Sequence, residues 1–104
     1  MPTITGDRPY TIDRVTVASG AVTDVDLPTW ARTVLVVNSD AADDLVIMDP
    51  ATTGSYTPGT GKYVTLTPGQ SMTLPVTPGR GRTPSPHVVL GTAGSVVAEI
   101  VVIE

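Results

Sequence analysis

The tripeptide Thr-Pro-Gly recurs at Thr57, Thr67 and Thr77, ten residues apart. Proline pre-sets the backbone of the first central turn position, and glycine supplies the positive φ that a type II turn needs at the second. Each copy is therefore expected to reverse the chain. The residues between the copies do not resemble one another, so the spacing reads as hairpin spacing and not as a solenoid repeat. The rest of the chain is punctuated in the same way, with 10 Gly and 10 Pro among 104 residues, which breaks helices repeatedly. Between the breaks, 16 Val and 17 Thr are residue types that suit a pleated, half-buried surface. A helical bundle is excluded, and the length bounds the chain to one small domain.

The pattern along the chain divides it into an N-terminal arm, residues 1–13, and a single β domain, residues 14–104. The arm holds Pro2 and Pro9 and no sustained alternation, so it is expected to be irregular or ordered only against something else. Strands are expected at Arg14 to Ala18, Ala21 to Leu27, Thr33 to Val37, Leu45 to Met48, Lys62 to Leu66, Ser71 to Val76, His87 to Leu90 and Ser95 to Ile103. Thr33 to Val37 and Leu45 to Met48 are apolar on both faces, which suits strands covered on both sides. The polar loop between them, Asn38 to Asp44, is of hairpin length, so the two are expected to pair. Pro75 cannot donate to a ladder and marks its strand as an edge or a bulge. Pro50 to Gly61 is a long unpatterned loop around Tyr56, of the kind that tends to be functional or mobile. About eight strands with turn signals every ~8 to 12 residues specify an all-β, compact antiparallel β-sandwich, jelly-roll or immunoglobulin-like.

Few residues offer chemistry. The net charge of −4 argues against neutralising the phosphates of a nucleic acid. With no Cys and one His, a zinc site is excluded. His87, between Pro86 and Val88, has no neighbouring Ser or Asp motif and reads as an ordinary strand-edge residue before a general base. Asp40, Asp43, Asp44 and Asp49 do not match the spacing of a helical calcium loop, and read as turn residues that bond their own backbone. Gly79-Arg-Gly-Arg82 precedes a strand, not the helix that a phosphate-binding loop would open. No apolar run in the first thirteen residues resembles a signal-peptide core, and Val96 to Ile103 is far short of the ~20 residues that cross a bilayer. The expectations are no enzyme, no cofactor, no small-molecule substrate, no membrane, and synthesis in a cytoplasm.

Three features read instead as contact surfaces. Arg80 and Arg82 concentrate two of six basic residues in one Gly/Pro loop of an acidic chain. Trp30 precedes a strand and either caps the core or anchors a partner. On the last strand Val96, Ala98, Ile100 and Val102 make one apolar face, and Val97, Glu99, Val101 and Ile103 make another. An apolar second face around one carboxylate suits a strand covered again, by a loop or a neighbouring subunit, with Glu99 paired to an Arg.

Three segments carry a resemblance: Thr33-Val-Leu-Val-Val-Asn-Ser-Asp with Leu45-Val-Ile-Met, then Leu66-Thr-Pro-Gly-Gln-Ser-Met-Thr-Leu, then Gly91-Thr-Ala-Gly-Ser-Val-Val-Ala-Glu-Ile. Over residues 31–104 the chain resembles small β-sandwich virion proteins of tailed bacteriophages, most of all capsid decoration, or cement, proteins. The resemblance implies a homotrimer on the exterior of the capsid, binding the major capsid protein and stabilising the mature head, with no catalytic residues. It makes Ile4, Arg8, Tyr10, Arg80 and Arg82 candidate capsid contacts, and Trp30, Val97, Glu99 and Val101 candidate subunit-interface residues. The alternative is a carbohydrate- or receptor-binding module of a phage fibre or bacterial surface, using Trp30, Tyr56 and Tyr63 as stacking platforms.

Overall fold

A computed structural model describes residues 2–52, 54–76 and 86–104. These form eight strands: β1 (Tyr10–Val17), β2 (Thr23–Asp26), β3 (Thr33–Asn38), β4 (Leu45–Met48), β5 (Tyr63–Leu66), β6 (Ser71–Pro75), β7 (His87–Gly91) and β8 (Val96–Ile103). They assemble into two four-stranded sheets, ordered β1-β8-β3-β6 and β2-β7-β4-β5, with every strand pair antiparallel. The first strand pairs with the last, the second with the seventh, the third with the sixth and the fourth with the fifth. The chain thus behaves as one long hairpin, bent at residues 49–62 and wrapped so that β3 also meets β8 and β4 also meets β7. This is the jelly-roll arrangement of an antiparallel sandwich, and it decides between the two topologies the strand pattern allows. No helix among the described residues is long and apolar enough to cross a membrane.

Alternation along each strand supplies the core. Val15 and Val17 of β1, Val34 and Val36 of β3, and Ile100 and Val102 of β8 point at the opposite sheet, where Val25, Leu45 and Leu90 meet them. Burying a branched aliphatic side chain of this kind contributes roughly 1.5–3 kcal/mol. Pro75 lies on β6, an edge strand, where its missing N–H breaks no ladder.

Three expectations are corrected. Thr33 to Val37 and Leu45 to Met48 do not pair; β3 and β4 lie in opposite sheets. The loop between them is held as an arch by Asn38, a buried side chain whose Nδ2 donates to the carbonyls of Asp43 (3.0 Å) and Leu66 (2.9 Å). Buried Thr92 pins the far end of the same loop, its hydroxyl donating to the Asp44 carbonyl at 2.7 Å. Likewise Thr67-Pro-Gly makes the expected turn, with the Gln70 amide donating to the Thr67 carbonyl at 2.9 Å and Gly69 at φ +86°, but it carries the chain from β5 to β6 in the other sheet. Thr57-Pro-Gly also turns, inside the long β4–β5 connection, where the Thr60 amide meets the Thr57 carbonyl at 3.1 Å. The copy at Thr77 lies outside the described residues.

The third correction concerns the arm. Tyr10 to Asp13 are the first half of β1. Ile4, expected to contact a capsid, is 1% exposed and belongs to the main core. The physical reason is the free edge of β2, whose unpaired backbone groups need partners. Residues 2–4 supply them: the Ile4 amide donates to the Asp26 carbonyl at 2.8 Å and the Asp26 amide to the Pro2 carbonyl at 2.9 Å, with Thr3 bridging Asp26 in parallel.

Candidate interaction face

The two sheets turn different outer faces to their surroundings. On the β2-β7-β4-β5 sheet, Val46, Met48 and Val89 point away from the main core, yet none is more than 5% exposed. Tyr56, from the β4–β5 connection, folds back over them, and Val22 and Tyr63 pack at its sides. Gly91 makes this possible, since a Cβ there would meet the Tyr56 ring at 3.1 Å and the Met48 sulfur at 3.2 Å. Tyr56 and Tyr63 meet edge to face, centroids 5.5 Å apart. Burial, reinforced by the neighbouring Tyr63 and Asp44, pushes the Tyr56 phenol above its ordinary pKa.

The outer face of the other sheet has no such cover among the described residues. Its β1 row is Tyr10, Ile12, Arg14 and Thr16, and its β8 row is Ile103, Val101, Glu99 and Val97, paired in that order. Tyr10 is 58% exposed and Ile12 62%, and Val97 and Ile103 are exposed as well. On β3, Leu35 stands opposite Val101, and Val37 opposite Glu99, both half-buried. Within this apolar field Arg14 Nη2 lies 3.3 Å from Glu99 Oε2, both side chains substantially exposed. Beyond the ends of β1 and β8, Arg8 Nε lies 3.1 Å from Glu104 Oε2. Solvent-exposed pairs like these contribute about 0–1 kcal/mol to folding, so their place on the surface matters more than their strength.

The structure therefore brings Tyr10, expected to face a capsid, onto the same surface as Val97, Glu99 and Val101, expected to face a subunit, while Arg8 pairs with Glu104 beyond the ends of β1 and β8. Trp30 stands apart: half-buried, it packs on the main core and donates from Nε1 to the Gly6 carbonyl at 3.2 Å, fastening the N-terminal segment to the body. It does not join Tyr56 and Tyr63, so the three aromatics form no common stacking platform. Arg80 and Arg82 lie outside the described residues. The sequence reading missed Ile12 and Leu35 and did not identify Arg14 as the partner of Glu99. The available signal was the alternation Tyr10, Ile12, Arg14, which runs back into the supposed arm.

Two other polar groupings could in principle carry chemistry. His87 Nδ1 lies 2.8 Å from Asp24 Oδ1, a partner that no local motif announces because it comes from β2, the neighbouring strand. The cleft beside His87, about 120 Å³, is lined by apolar residues such as Val34, Leu74 and Val89 and presents no hydroxyl nucleophile among the described residues. In the acidic loop, Asp40 accepts the amides of Ala42 (2.9 Å) and Asp43 (2.7 Å). These bonds, Asp43 first, hold its carboxyl below the ordinary pKa of 3.8. Asp43 in turn accepts the Ser95 amide at 3.4 Å, so both carboxylates serve the backbone. Among the described residues no three metal-ligating side chains cluster. No protein-family model, no curated protein and no solved structure matches the chain.

Proposed function

We propose that the chain is a non-catalytic structural subunit of a tailed-phage particle, added to the outside of the shell in contact with the major capsid protein. The observation that carries this reading is the outer face of the β1-β8-β3-β6 sheet, an apolar field around one ion pair that no other described residue covers. A face of this kind favours association with another surface. The resemblance of residues 31–104 to virion proteins supports the particle as the setting, and the jelly roll is an architecture used by viral capsid subunits. Lectin domains use it too, but Tyr56 is only 9% exposed and spent on covering its own sheet, which weighs against a sugar platform there. Cosedimentation tests the proposal: purified chain is mixed with phage shells assembled without it and pelleted. Saturable pelleting with the shells is expected. A chain that stays in the supernatant at every concentration overturns the reading.

A further inference from the structure

The charges of the bare face are sorted by row. Its one ion pair is split between the two rows, Arg14 on β1 and Glu99 on β8. The apolar residues are matched across the same line, Tyr10 with Ile103 and Ile12 with Val101. We infer that this face is a self-association surface, on which two copies of the chain pack sheet against sheet about a two-fold axis running along the strands midway between β1 and β8.

Such an axis exchanges the two rows. It sets Arg14 over the second copy's Glu99, Ile12 over its Val101 and Tyr10 over its Ile103, so the charged positions meet opposite charges and the apolar ones meet apolar ones except Val97, which meets Thr16. The surface is complementary to itself, as a two-fold interface requires. Moving the axis onto β8 would lay Glu99 over its own copy, a like-charge contact, so the charge pattern selects the axis. The alternative route, pairing two β1 edges into one continuous sheet, is guarded: the Arg14 amide is already bonded to Asp13 Oδ1 at 2.8 Å, and the Asp13 carboxylate sits on that edge.

The size of the contact sets its strength. Two rows spaced ~4.8 Å apart, at ~3.3 Å per residue, cover a strip of about 10 by 26 Å, less than the ~800 Å² per partner of a standard interface. The pairing is therefore weak, grows with concentration and, resting on solvent-exposed charges, is loosened by salt. Pairing covers the same face that would meet a shell, so the two associations are alternatives, and pairing in solution and binding to shells are measured separately.

Sedimentation velocity on the full chain, from micromolar to millimolar concentration at low and high salt, provides the test. A two-copy species that grows with concentration and recedes with salt is expected. Arg14→Glu and Glu99→Arg should each weaken self-association by at least about tenfold, because each sets like charges face to face. Mixed in equal amounts, the two variants should associate with each other, since their rows are again opposite, and the doubly reversed chain should regain the parent's behaviour. Ile12→Glu should abolish pairing in any combination. All three positions lie on the surface, and an unchanged thermal midpoint would show that each variant is folded. A mixture of single reversals that stays monomeric overturns the inference. A parent chain that is monomeric throughout, or that forms the three-copy species the phage resemblance implies, overturns it equally.

Discussion

β3 and β4 look alike as sequences, Thr-Val-Leu-Val-Val against Leu-Val-Ile-Met, yet they end in different surroundings. All four residues of β4 are buried, because the Tyr56 loop returns over Val46 and Met48. On β3 only alternate residues are buried, and Leu35 and Val37 remain half-open beside the bare β1 and β8 rows. The same asymmetry holds at the edges: β2 is capped by residues 2–4, whereas among the described residues β1 has only Asp13 on its free edge. Two-sided apolar strands thus say that a second cover is wanted. Whether the chain supplies it itself depends on a loop elsewhere.

Stripping the covered side should have the largest effect. Tyr56→Ala is expected to cost about 3–5 kcal/mol, measured by urea unfolding, and to make the Val46 and Met48 face bind an environment-sensitive dye. A loss under about 1 kcal/mol would mean that Tyr56 is not a cover. Ile4→Ala tests the edge cap and should cost about 2–4 kcal/mol by the same measurement, against almost nothing if the segment is a loose arm. Asn38→Ala, which leaves the Asp43 and Leu66 carbonyls without their donor, should cost about 1–3 kcal/mol and loosen the arch between the sheets, read as faster amide exchange at Asp40 and Asp43. On the bare side, Ile12→Ala should change stability by no more than about 0.5 kcal/mol while weakening self-association. A cost as large as that of Tyr56 would show that the bare face is covered after all.

The smallest effect concerns pH. The Asp40 carboxyl is held below its ordinary pKa by the Asp43 and Ala42 amides, so its contribution is complete above the unfolded value and is lost as pH falls through the lowered folded one. Asp40→Asn should flatten that acid limb slightly, leaving stability near neutrality little changed; an unaltered acid limb would show that the loop does not depend on the charge.

Local pattern made most of the strands legible, and β2 to β8 lie where alternation and the Pro-Gly breaks put them. Pairing was not legible, because a jelly roll joins strands far apart in sequence, and nothing local tells a short hairpin loop from an arch between sheets. Asn38 is the residue that makes the difference, and it does so through carbonyls of Asp43 and of distant Leu66. The start of β1 was hidden by Pro9, which made residues 1–13 look uniform although Tyr10 onward alternates. Of the interaction face, the β8 half was readable from two apolar rows on one strand. Its β1 half was not, since only the Tyr10–Ile103 register reveals that those residues adjoin.

That register also governs when the fold can form. β8, the last of the eight strands, lies in the interior of its sheet, between β1 and β3. Until it has been synthesised, β1 has no neighbour and β3 is paired on one side only, with β6. Pairing of first with last also gives a high contact order, which slows folding and lengthens exposure to aggregation. Nascent chains stalled before Val96 are accordingly the stage at which this protein depends most on a chaperone.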